Sequence, residues 1–199
     1  MIREEIHTKN INFIGCWKIE NTKLFLNMID FFEKNIHLQS KGVTGLGHAE
    51  RIKKTTDIAI DPLFLKKEKF NIFNEYFREL YNCYDDYKKQ WPFLNKSISK
   101  LDIPSFNLQK YNPGDHFSSV HCERNSTLTM HRVFAWMTYL NNVGSDDGST
   151  FFSHYNVKIK PEMGKTLIWP AEWTHAHAGE ILKTETKYII TGWMCYPFD

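Results

Sequence analysis

Cysteine is sparse in this 199-residue chain. Cys16, Cys83, Cys122 and Cys195 stand far apart, with no CxxC pair among them, which leaves neither a disulfide framework nor a thiolate zinc site and predicts free thiols. No apolar run approaches the roughly 18 residues that a membrane helix needs. The N-terminus, Met1-Ile2-Arg3-Glu4-Glu5, lacks the apolar stretch of a secretion signal. Net charge is small as well: 25 Lys and Arg stand against 23 Asp and Glu, for a formal +2 with nine histidines uncounted. Nucleic-acid binding calls for a concentrated basic field, and the short runs Arg51 to Lys54 and Lys66 to Lys69 are better read as solvated surface. We therefore expect a cytoplasmic protein (host cytoplasm if viral) with neither nucleic acid nor membrane among its partners. There is also no GxSxG elbow, no HExxH helix, and no GxGxxG or GxxxxGK[ST] loop, which disfavours serine hydrolases, the commonest zinc proteases and phosphate-cradling nucleotide sites.

What the chain does have is apolar material, 42% hydrophobic with 15% aromatic residues, enough for one domain over residues 1–199. Its texture changes near Pro104. Before it, residues 1–104 read mainly as helical support. Asn21 and Thr22 are cap candidates ahead of Leu24, Met28, Ile29, Phe32 and Ile36, and Asp61-Pro62 resembles a cap with proline at the first helical position. Phe70, Phe73, Phe77, Leu80, Tyr84, Tyr87 and Trp91 follow at three- and four-residue steps, a stripe best read as core packing onto a sheet. Trp91-Pro92 should end that helix.

From 105 to 199 the chain reads as short strands broken by turns: 106–111, 116–123, 131–140, 150–152, 156–160, 165–169, 172–177 and 187–195. Strands without intervening helices cannot make a parallel βαβ sheet. The expectation is an α+β fold, a double-stranded β-helix (jelly roll) core with the N-terminal helices packed on one outer sheet face.

Chemistry concentrates in the histidines of that half. In His121-Cys122-Glu123 the imidazole and carboxylate are two apart on a predicted strand and so share a face. Trp173-Thr174-His175-Ala176-His177 brings one or two further imidazoles, and periodicity alone does not choose between His175 and His177. Two histidines and a carboxylate would form a facial triad that leaves the other positions of an iron ion open. Lys187 opens the apolar run Tyr188 to Trp193 and shares a face with Thr191 and Trp193. A lysine entering a buried strand needs an anionic partner to compensate its lost hydration.

Taken in order, these residues resemble the prolyl 4-hydroxylase-like branch of the iron(II)- and 2-oxoglutarate-dependent dioxygenases, of the small microbial and phage type. The resemblance runs from about Phe106 to Trp193. It rests on Tyr111 and Gly114, the HxE step, Arg132 to Asn141, Gly148-Ser149-Thr150-Phe151, Pro161 to Pro170, and His177 followed ten residues on by Lys187. It implies His121, Glu123 and His177 as iron ligands, and the ten-residue step to Lys187 favours His177 over His175. By the same resemblance Lys187 and Tyr139 would contact the distal carboxylate of 2-oxoglutarate, Thr191 would line that pocket, and Tyr111 and Trp193 would lie near the co-substrate or the metal. The implied cofactors are Fe(II), 2-oxoglutarate and O2. The implied reaction hydroxylates an aliphatic carbon, with a prolyl residue of a peptide or protein as a candidate and a small molecule as the other, releasing succinate and CO2. The family usually carries aspartate where Glu123 stands. The alternative reading is a non-catalytic cupin-like metal-binding module, which would have no use for an inward lysine.

Overall fold

Alternation along the aromatic and β-branched runs after Pro104 gives each strand two unlike faces, and in the central strands over residues 132–139 and 165–170 the fold buries both. The protein was analysed as a computed structural model that describes residues 1–44, 47, 49–144 and 147–197. Its strands are β1 (Ile2–Glu4), β2 (Gly15–Lys18), β3 (Ser40–Lys41), β4 (Thr56–Ile60), β5 (Phe106–Tyr111), β6 (Phe117–His121), β7 (Arg132–Tyr139), β8 (Thr150–Phe152), β9 (Val157–Ile159), β10 (Lys165–Pro170), β11 (His177–Gly179) and β12 (Lys187–Cys195). A major sheet runs β1-β2-β10-β7-β12-β5-β4-β3 and a minor one β6-β11-β8-β9. This is the expected double-sheet jelly roll. On β7, Phe134 and Trp136 pack toward the helices, whereas Ala135, Met137 and Tyr139 pack into the space between the sheets.

Helices α1 (Thr22–Lys34) and α2 (Asn71–Gln90) lie on the outer face of the major sheet, with a short α3 (Leu94–Ser97) after them. Asn21 caps α1, its side-chain oxygen accepting from the Leu24 amide at 3.2 Å. The aromatic stripe of α2 is core, as its spacing predicts: Phe73 lies edge-on to Phe106 at 5.5 Å and Phe77 to Trp136 at 5.9 Å. No helix among the described residues is long and apolar enough to cross a membrane. The four cysteines are free.

Three expectations need correction. Asp61 does act as a cap, accepting from Leu63 N at 2.8 Å, but of a 3-10 turn, Pro62–Lys66. Lys67 is extended (φ −90°, ψ 137°) and breaks the run, so α2 begins only at Asn71. Residues 172–177 do not form one strand. Trp173–His175 closes a 3-10 turn, with His175 N bonded to Glu172 O and Ala176 N to Trp173 O, and β11 starts at His177. Finally, the first 104 residues contribute β1–β4 to the major sheet. These strands are two to five residues long, too short for their alternation to stand out from helical texture. Ser145 and Asp146, between the strands expected at 131–140 and 150–152, lie outside the described residues, as does Gly45.

Candidate active site

Strand register assembles the centre. β6 and β11 are antiparallel neighbours with His121 directly opposite His177, and the two imidazoles lie 4.5 Å apart. Glu123 sits two residues past the end of β6. There the Glu123 and Arg124 amides both donate to Ala171 O, at 3.1 and 3.0 Å, and anchor the turn. Glu123 Oε1 is 3.4 Å from His177 Nε2 and 3.6 Å from His121 Nε2. One ligand atom from each of the three residues falls within 4.8 Å of the others.

The remaining polar atoms of the trio are occupied in a way that suits a metal. His121 Nδ1 donates to Ser119 O at 2.8 Å and His177 Nδ1 to His175 O at 2.9 Å. A carbonyl can only accept, so each ring carries its proton on Nδ1 and turns a free Nε2 lone pair inward. Glu123 Oε2 accepts from Trp193 Nε1 at 2.7 Å, and the Arg132 guanidinium lies over the Trp193 ring at 3.7 Å while donating to Glu123 O at 2.9 Å. That clamp leaves Oε1 as the inward donor. Burial would raise the Glu123 pKa; when the His121 and His177 rings also carry a proton on Nε2, their hydrogen bonds and charge outweigh burial and hold the carboxyl well below the usual carboxylate range, and a metal at the trio takes the place of those protons. Two neutral imidazoles and one carboxylate, held from outside and converging from one side, fit a divalent iron with open positions. Phe117 stacks on His121 at 3.8 Å, and Phe152 and Trp169 flank His177 at 5.6 and 5.1 Å, so the rings have little freedom.

The trio lies on the wall of a cavity of about 770 Å³ between the sheets. The inward face of β12 supplies Lys187, Thr191 and Trp193, and Tyr111 joins them from β5. Lys187 is 3% exposed, donates to Gly148 O at 2.6 Å and sits 4.5 Å over the Tyr111 ring. No carboxylate among the described residues lies within ion-pair distance of it. Burial pulls its pKa from 10.5 to about 8, against the more distant charges of Glu180 and Asp147. Gly148 has φ +71°, and a Cβ there would meet Leu182 Cδ2 at 2.7 Å and Lys187 Nζ at 3.8 Å, so only glycine lets its carbonyl reach the ammonium without strain. Thr191 Oγ1 donates to Trp136 O at 2.9 Å.

Two sequence candidates fall elsewhere. Tyr139 is wholly buried behind the cavity wall: its hydroxyl bonds Thr150 Oγ1 at 2.6 Å and Ile159 O at 3.1 Å. It can reach the cavity only through Thr150, which does line it. His175 points away from the trio, its Nε2 donating to Asn12 O at 2.6 Å. Burial lowers its pKa. The choice between His175 and His177 is thus decided by the 3-10 turn. Sequence reasoning did not find Lys53, Asp57 and Gln109, which also line the cavity. For Gln109 a signal existed, since it alternates with Tyr111 on β5. Lys53 and Asp57 belong to no motif.

A double-sheet jelly roll carrying an inward two-histidine, one-carboxylate set is the architecture of a non-haem iron oxygenase. Residues 106–195 match the family model described as the 2OG-Fe(II) oxygenase superfamily. A search of curated proteins by sequence found no match. Solved structures share the fold. A prolyl-4-hydroxylase of Pseudomonas putida superposes with a TM-score of 0.69 at 15% identity, over 94% of this chain and 94% of that one. A prolyl hydroxylase from Trichoplax adhaerens, solved with a hypoxia inducible factor peptide fragment, gives 0.71 at 16% identity over 94% and 84%. The viral collagen prolyl hydroxylase of Paramecium Bursaria Chlorella virus-1 gives 0.60 at 17% over 92% and 96%.

Proposed function

We propose that this protein is an Fe(II)- and 2-oxoglutarate-dependent dioxygenase that hydroxylates an aliphatic carbon, with a prolyl residue of a peptide or protein as its substrate. One observation carries this reading: the inward Nε2, Nε2 and Oε1 atoms of His121, His177 and Glu123 share a single cavity with Lys187, a buried ammonium that has no ion-paired carboxylate among the described residues. In this reading the trio holds iron, and Lys187, with Thr191 lining the pocket, receives the distal carboxylate of 2-oxoglutarate. Iron with 2-oxoglutarate and O2 supplies the oxidising chemistry, whose co-products are succinate and CO2. The chain's own residues orient and select. The Nδ1 anchors on Ser119 and His175 hold the imidazoles; the Trp193 and Arg132 clamp turns one oxygen of Glu123 inward. Trp193 and Tyr111 wall the co-substrate. A non-catalytic metal module would gain nothing from an ammonium buried in its cavity.

The peptide part rests on two supports. The structural neighbours are named as prolyl hydroxylases, one of them with a bound peptide. The cavity also opens onto exposed apolar side chains, Val43 and Leu128, a rim suited to packing against residues that flank the target of a peptide. The test is anaerobic addition of Fe(II) and 2-oxoglutarate, which should give the weak visible charge-transfer band of their chelate, followed by O2 with proline-containing peptides. Oxygen-dependent succinate release and gain of one oxygen atom by the peptide are expected. Absence of both the band and succinate would overturn the dioxygenase reading; succinate without peptide oxidation would overturn only the substrate.

A further inference from the structure

The cavity wall on the Tyr111 side of Lys187 carries a buried polar network with no hydrogen bond to the His121, Glu123 and His177 trio among the described residues. Asp57 on β4 is 5% exposed, as is Gln109 on β5, and Lys53 is 6% exposed. Asp57 Oδ1 accepts from Thr55 Oγ1 at 2.7 Å; its Oδ2 accepts from Lys53 Nζ at 2.6 Å and from Gln109 Nε2 at 3.1 Å. Gln109 Oε1 in turn accepts from the Tyr111 hydroxyl at 3.0 Å. The register makes this a line across strands. Asp57 pairs with Gln109 between β4 and β5, and Tyr111 pairs with Lys187 between β5 and β12. The Tyr111 ring face then lies 4.5 Å from the Lys187 ammonium.

The chemistry of the donors gives the line a direction. A carboxylate beside an ammonium can only accept, so Gln109 must turn its amide NH2 toward Asp57. Its carbonyl consequently faces Tyr111 and fixes the phenol as a donor. Burial and the nearby Asp57 charge push the Tyr111 pKa well up, so that hydroxyl keeps its proton. The acceptor at Asp57 thereby sets the orientation of a ring two side chains away.

We propose that Asp57 is a positioning residue of the co-substrate pocket, acting through the Gln109 amide to hold the Tyr111 ring against Lys187. The inference rests on the 2-oxoglutarate reading above and adds to it a determinant from the N-terminal half, outside the segment that matches the oxygenase family. With asparagine at 57 the acceptor is no longer obligatory, since an amide can turn NH2 as well as oxygen toward Gln109; the Gln109 amide is then free to flip, and an NH2 turned toward the Tyr111 hydroxyl removes the acceptor that fixes the phenol.

The test measures the 2-oxoglutarate dissociation constant of the full-length protein from the visible band under anaerobic Fe(II), with Fe(II) affinity and thermal midpoint recorded beside it. Asp57→Asn and Gln109→Leu should each weaken 2-oxoglutarate binding by roughly fivefold to tenfold, the worth of about one hydrogen bond, while Fe(II) affinity stays near the parent value. Because Gln109→Leu and Tyr111→Phe interrupt the same line, their double variant should bind no more weakly than the worse single one. Should Asp57→Asn fail to fold, with Lys53 left unpaired, the Gln109→Leu and Tyr111→Phe cycle carries the test. A lowered thermal midpoint with unchanged 2-oxoglutarate affinity overturns the proposal, as do losses that multiply in the double variant. A parent protein that binds no 2-oxoglutarate overturns the functional reading together with it; a parent that binds, with variants that match it, overturns the positioning role alone.

Discussion

At the scale of single residues, the site is governed by what each polar atom has left to offer. His177 has Nδ1 engaged and Nε2 free; His175 has Nε2 engaged with Asn12 O. Substituting His177→Ala should therefore abolish Fe(II) binding, whereas His175→Ala should retain it and instead lose about 1–3 kcal/mol of stability, the cost of an orphaned buried partner. An Fe(II) titration with denaturant unfolding separates the two. Lys187 behaves as a charge waiting for a partner. Lys187→Ala should weaken 2-oxoglutarate by about 1.5–3 kcal/mol, roughly ten- to 150-fold, at unchanged iron affinity. Its pKa of about 8, lowered by burial from 10.5, fixes opposite pH trends for fold and ligand. Between those values the unfolded chain binds the proton that the ligand-free fold releases, so the stability of the ligand-free protein rises with pH through that window. Affinity for a dicarboxylate needs the ammonium and should fall above about pH 8 in the parent but stay flat in Lys187→Met, which calorimetric titrations across that range would check.

At the scale of elements, α2 is coupled to α1 and β5 by aromatic packing. Phe73 is fully buried, edge-on to both Phe31 of α1 and Phe106 of β5. Phe73→Ala should cost about 3–5 kcal/mol, read as a lower urea midpoint, while leaving 2-oxoglutarate affinity in the remaining folded fraction unchanged, since the stripe faces away from the cavity. These elements were legible because their periods are local. The Phe73, Phe77, Leu80, Tyr84 spacing marks a helix face with no knowledge of its partner, and β5, β8 and β12 run over the residues their alternation and turns suggest. The short edge strands β1 to β4 were not legible. A run of two to five residues carries too little pattern, and the ladders that tie these strands into the sheet, β2 to β10 and β4 to β5, join partners far away in sequence.

At the scale of the whole molecule, the cavity exists because two sheets meet around it. Binding iron and 2-oxoglutarate there should stabilise the folded state by mass action, about 2.7 kcal/mol at a hundredfold excess over the dissociation constant. That gain should appear as a raised thermal midpoint and vanish in His177→Ala. The sequence by itself determined the helical and strand periods, the oxygenase resemblance from about Phe106 to Trp193, the HxE step, and the common phase of Lys187, Thr191 and Trp193. All of these are relations between near neighbours, set by the pitch of a helix or the pleat of a strand. Only the tertiary structure decided that His177 rather than His175 faces Glu123, that the Tyr139 hydroxyl is held by Thr150 and Ile159 behind the wall, and that Asp57 reaches Tyr111 through Gln109. Those relations join strands distant in the chain, and their register follows from how the sheets and helices pack as a whole, which no local spacing encodes.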